Sequence, residues 1–135
     1  MARSTLKGFW RQTGSEKATA SVSLQCIQFT LDPTASSADT GKILPNGAIP
    51  MGVQNLNGLA TGGTNPTIDV GTSGDTDGFT NELDADDISN IVSTAGALIG
   101  VPLTTDTAIH AGVGASAATG GSVLVGVYYI MQDNG

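Results

Sequence analysis

The sequence predicts an all-β chain: an antiparallel β-sandwich or jelly roll of about seven or eight short strands, preceded by an extended N-terminal arm. Three observations carry this. Apolar residues alternate in several short runs, the period of a half-buried strand. Turn signals separate those runs at roughly ten-residue intervals. Glycine is common, at 19 of 135 residues, while Lys occurs three times and Glu twice. That balance supplies tight turns and withholds the commonest residues of helix surfaces.

Ala20 to Leu31 alternates strongly, with Val22, Leu24 and Cys26 in one phase and Ile27, Phe29 and Leu31 in the other. A β-bulge between Cys26 and Ile27 would turn both sets toward one core, making Cys26 a small core residue. Asp32 to Gly41 is a polar loop, and Pro45-Asn46-Gly47 is a turn after Ile43 and Leu44. Ile49, Met51 and Val53 alternate as a strand, and Pro50 assigns it to an edge or a strand start. Asn57-Gly58 is a further turn, Gly62 to Pro66 is a loop, and Ile68 and Val70 form a short strand ending at Gly71. Asp86 or Asp87 caps the one helical turn expected, carrying Ile88, Ile91 and Val92. Ile99, Val101 and Leu103 alternate again, as do Ile109, Ala111 and Val113. After a small-residue stretch from Gly112 to Gly121, Ser122 to Gln132 is the clearest strand. It is apolar on both faces, which predicts a central strand covered on both sides or by a partner chain.

Length fits one domain, so the organisation expected is an arm over residues 1–18 and a single β-sandwich over 19–135. Charge separates the two parts. Arg3, Lys7, Arg11 and Lys17 face only Glu16 within residues 1–17, a net of +3. Residues 18–135 hold Lys42 against eleven acidic residues, a net of −10. A basic arm on an acidic body predicts an arm that docks on an acidic surface such as a neighbouring copy's; an incidentally charged terminus is the plainer reading. Leu6, Phe9 and Trp10 favour docking, because they place apolar anchors, including the single Trp, in an otherwise polar segment. The partner-binding residues expected are therefore Arg3, Leu6, Lys7, Phe9, Trp10, Arg11 and Lys17.

Chemistry finds little support. A body at −10 repels phosphates, so nucleic acid is not an expected partner. No run approaches the ~18 apolar residues of a membrane span. Met1 to Arg11 lacks the apolar region of a secretory signal, which predicts synthesis in a cytoplasm. A single cysteine excludes an intrachain disulfide and a cysteine-based zinc site. His110 is the sole histidine, expected on the strand face opposite Ile109 and Ala111, with no Gly-x-Ser-x-Gly elbow to accompany it. Asp75, Asp77, Glu82, Asp84, Asp86 and Asp87 crowd one loop; a solvated acidic loop is the expectation, because Gly78 directly after Asp77 breaks the calcium-loop spacing. Gly62-Gly63-Thr64 lacks the Lys-Ser/Thr of a phosphate loop. No catalytic residue, metal or cofactor is expected, and the chain is read as a structural or binding protein rather than an enzyme.

Three runs carry a resemblance: Leu44-Pro45-Asn46-Gly47-Ala48-Ile49-Pro50, then Gly62 to Thr72, then Asp75-Thr76-Asp77-Gly78-Phe79. With the ending at Tyr128, this pattern of turns and short strands resembles the capsid decoration (cement) proteins and related small head proteins of tailed bacteriophages, over the C-terminal two thirds of the chain. The resemblance implies a β-sandwich or jelly-roll subunit on the outer capsid surface, a homotrimer bridging neighbouring major capsid protein subunits; the arm from Arg3 to Lys17, read from its own residues, is then the expected tether. It brings no catalytic residues. The alternative function is a fibre, spike or adhesin domain binding a host glycan, against which the aromatic-poor acidic surface argues.

Overall fold

The computed structural model of the protein describes residues 23–88 and 92–131. Nine strands occur among the described residues: β1 (Gln25–Leu31), β2 (Ala38–Leu44), β3 (Ala48–Asn55), β4 (Ala60–Thr61), β5 (Thr67–Gly71), β6 (Thr80–Asp84), β7 (Thr107–Val113), β8 (Gly120–Gly121) and β9 (Val123–Met131). They form a β-sandwich of a three-stranded sheet, β1-β9-β3, and a four-stranded sheet, β2-β7-β5-β6; β4 and β8 make a small ribbon. Every pairing is antiparallel.

β9 is the centre of the first sheet, as its doubly apolar sequence predicts. Its inward residues Val123, Val125 and Val127 are fully buried and pair with Leu31, Phe29 and Ile27. They belong to one core with Ile68 and Val70 of β5, Ile109 and Ala111 of β7, and Phe79 and Leu83. The outward side of β9 is only half-buried at Leu124, Tyr128 and Ile130.

Two strands differ in phase from the sequence reading. β1 pairs with β9 in unbroken register from Gln25 to Leu31, with no bulge at Cys26 and Ile27. Ile27, Phe29 and Leu31 therefore face in, while Leu24 and Cys26 are exposed on the other side. Cys26 is not a core residue. The bulge lies instead in β3, where the adjacent Tyr128 and Tyr129 face Gly52 and Pro50. Met51 is the extra residue and points to solvent, so Pro50 and Val53 are buried where strict alternation would put Ile49, Met51 and Val53.

Pro50 does sit in an edge strand, but that edge is covered. Val53 and Ser93 exchange both backbone hydrogen bonds, at 3.0 and 2.8 Å, and the amides of Gly100 and Leu103 donate to the carbonyls of Pro50 and Ala48. The segment carrying Ile99, Val101 and Leu103 is thus no strand: residues 97–100 form a turn, and the chain serves as an irregular cover for β3. Nor do the described flanks of the expected helical turn support it. Asp86 lies in a bend and Ser93 in the bridge to Val53; Ile91 is outside the described residues.

Candidate interaction surfaces

The seven arm residues expected to make contact, Arg3, Leu6, Lys7, Phe9, Trp10, Arg11 and Lys17, lie outside the described residues, as does the arm–body boundary at 18–19. The body itself offers three kinds of surface, each set by strand phase.

The outer face of the first sheet is uncharged. Cross-strand rows place Tyr128 between Cys26 and Gly52, Gly126 between Gln28 and Gln54, and Ile130 beside Ile49. Val92 seats on Gly52, where a Cβ would collide with it. The Tyr128 hydroxyl donates to Gln54 Oε1 at 2.9 Å. Partial desolvation on this face pushes both the Cys26 thiol and the Tyr128 phenol above their ordinary values. For Cys26, hydrogen bonds with Gln28 and Tyr128 act in the opposite direction. A raised thiol pKa means less thiolate, so this exposed cysteine is a poor nucleophile.

The outer face of the second sheet is acidic. His110 pairs with Asp39 of β2 on one side and Gly71 of β5 on the other, as expected opposite Ile109 and Ala111; its Nδ1 is buried with no hydrogen-bond partner among the described residues. Loops close on this face at two glycines, since a Cβ on Gly71 would strike the backbone of Asp75 and one on Gly112 that of Ser37. Asp69 stands opposite Gly112 and accepts the Glu82 amide at 2.8 Å. The acidic residues separate into small sets: Asp75 with Asp77, Asp84 with Asp86, and Asp69 with Glu82. Among the described residues, no group of three or more His, Cys, Asp or Glu side chains gathers to hold a metal ion.

These pairs have a thermodynamic sign. Sharing a hydrogen bond with Asp77 raises the Asp75 carboxyl, and sharing one with Asp84 raises Asp86. Asp69 is raised mainly by desolvation, with the charges of Glu82 and Asp77 adding to it. Each raised group binds its proton more tightly folded than unfolded. The favourable contribution is full below the unfolded value of about 3.9 and is lost as pH rises through the folded value. Asp32 has the opposite sign: the Thr34 hydroxyl at 2.6 Å and amide at 2.9 Å lower it, so its contribution is lost as pH falls below the ordinary carboxylate range. The melting temperature should therefore rise as pH is lowered from neutrality toward about 4 and fall below that. Thermal melts across the range check this; a melting temperature that declines steadily from neutrality downward would contradict it.

The third surface is backbone. β1 and β3 end the first sheet, and β2 and β6 the second. β3 is covered, as described above. β2 breaks register between Asp39 and Ile43, and β6 does so beside Glu82, whose φ is 61°. Beside β1 runs a cleft of about 210 Å³ toward β2, lined by Thr30, Leu31, Asp32, Ala38, Asp39 and Thr40 among others. The sequence signal for the β1 edge is the absence of Pro, Gly and charge from 25 to 31, a negative feature that alternation does not register.

No protein-family model and no curated protein matches the sequence. Among solved structures, a chain of the cyanophage Pam1 capsid asymmetric unit matches with a TM-score of 0.60 at 24% identity, covering 90% of this chain and 94% of that one. The likeness shows a shared fold across nearly the whole of both chains.

Proposed function

We propose that the protein is a structural, non-catalytic component of a phage virion: a capsid decoration protein that sits on the outer shell as a homotrimer and bridges neighbouring major capsid protein subunits. The observation that carries this reading is the end-to-end fold shared with a chain of a phage capsid asymmetric unit. The surface chemistry supports it. A body dominated by Ser, Thr, Gly and Asp, with Lys42 its one cation, suits a polar exterior and has no affinity for the packaged nucleic acid. Synthesis in the host cytoplasm and residence on the virion follow from the same reading. The arm, through Arg3, Lys7, Arg11 and Lys17 and the anchors Leu6, Phe9 and Trp10, is the tether. Each bound copy adds interface to the assembled shell alone and so stabilises that state by mass action.

Deleting residues 1–17 tests the tether. The described core runs from Phe29 to Val127, so the body should stay folded. Occupancy on purified capsids lacking the protein should fall, with apparent affinity down tenfold or more. Undiminished occupancy without the arm would refute the tether assignment.

A further inference from the structure

The four sheet edges are not equivalent. An open strand edge is a template for another chain, and proteins blunt such edges with charge, proline, bulges or cover. β3 carries Pro50 and lies under residues 93–103. β2 carries Asp39 and Lys42 and breaks register between Asp39 and Ile43. β6 carries Glu82 in a left-handed conformation, with Asp84 behind it. Among the described residues, β1 has none of these devices. Its seven residues, Gln25 to Leu31, contain no charge, proline, glycine or register shift, and among the described residues no strand pairs with its second edge.

We propose that this edge receives the N-terminal arm of a neighbouring copy. On this assignment the arm adds as a strand along β1, and its basic residues approach Asp32 and Asp39 at the adjoining cleft. Three observations select this occupant. Charge is complementary: the arm is +3 over residues 1–17, and Asp32 and Asp39 line the cleft beside the edge. Length suffices: 22 residues precede the first described residue, Ser23, and extended they reach about 70 Å, roughly twice the width of a domain this size. Sequence favours a neighbour over the same copy: Ser15 to Leu24 contains no Gly, Pro, Asn or Asp, so a return onto its own β1 would have to turn at or before Gly14, through a loop longer than hairpins usually use.

Backbone hydrogen bonds would give such a contact its affinity, and alternate side chains its specificity. An arm passed from each copy to the next is a heterologous contact, which forms a ring when the rotation between copies closes, as a trimer requires. The inference rests on the arm being the contact segment of the capsid reading, and it names the receiving surface. A linked ring would also grip the shell multivalently, so losing the arm would weaken shell binding without the arm touching the shell.

Sedimentation equilibrium on the full chain, away from capsids, tests this. The unmodified protein should have a three-chain mass. Two full-length variants, Phe9→Ala with Trp10→Ala, and Gln28→Lys, should each raise the concentration at half assembly tenfold or more, with unchanged circular dichroism. Gln28 is exposed on β1, so its lysine guards the edge and repels the arm. A single-chain mass for the unmodified protein, or assembly indifferent to both variants, would overturn the proposal. Arm-dependent assembly without capsid binding supports it and defeats the capsid reading instead. A single-chain protein that still needs its arm on capsids defeats this proposal alone, and makes the shell the arm's receptor.

Discussion

Asn55→Ala should lower stability by about 3 kcal/mol, because one fully buried side chain closes four hydrogen bonds. Asn55 ends β3 and is fully buried. Its amide nitrogen donates to the carbonyls of Asp84 at 2.9 Å and Asp87 at 3.2 Å. Its amide oxygen accepts the amides of Asn57 at 3.2 Å and Gly58 at 2.8 Å. Both donors and both acceptor positions are used, which is the full capacity of the group. Alanine would strand two carbonyls and two amides, including that of Gly58, which at φ 61° is pressed against the backbone of Asp87 and Ile88. At about 4 °C per kcal/mol for a domain of this size, the melting temperature should drop by roughly 12 °C. Asn55→Asp should also destabilise, since it keeps the acceptors but sets a carboxylate against two carbonyls. A shift of only a degree or two in either variant would show that the junction of β3 and β6 is held by something else.

Phe79→Ala should cost about 3–5 kcal/mol through the cavity it opens. Phe79 heads the fully buried side chains in size, and its amide is fixed to the Val70 carbonyl at 2.9 Å. Gly96 lies directly on its backbone, so the surrounding chain has little freedom to collapse into the space. Against a total of about 5–15 kcal/mol for a domain, that loss leaves a body that is partly unfolded at growth temperature. Urea unfolding should show a lower midpoint with an unchanged slope. Phe79→Leu, which keeps most of the volume, should cost less than half as much. Equal costs for the two variants would mean that ring shape, not filled volume, holds the site.

The sandwich was legible in the sequence where side chains alternate against a single core. Val123, Val125 and Val127 announce β9, and Ile109 with Ala111 announces β7, because burial on one face leaves an unambiguous period. Phase failed where apolar residues occupy an outer face. Leu24 and Cys26 look inward by composition, yet unbroken pairing of β1 with β9 turns them out, and the bulge occurs in β3 at Met51 instead. Ile99 to Leu103 alternates like a strand but spends its hydrogen bonds covering β3, a tertiary role that local pattern does not encode. Asn55 was invisible for a similar reason: a lone Asn before Asn57-Gly58 looks like turn chemistry, and its partners near Asp84 are some thirty residues away. Of the candidate contact surface, the sequence discloses the arm's composition, whereas the edge of β1, unguarded among the described residues, appears only once the other three edges are seen to be blunted.

The concentration of positive charge outside the body has a practical consequence for detection. Lys42 is the one lysine or arginine after residue 17, and it sits exposed where β2 breaks register. Trypsin can therefore cut beyond the arm only at the bond between Lys42 and Ile43. Everything from Ile43 to Gly135 emerges as one long acidic peptide, poorly suited to routine mass spectrometry. The protein would be under-counted in any tryptic inventory, and a protease that cuts at Asp or Glu would restore it.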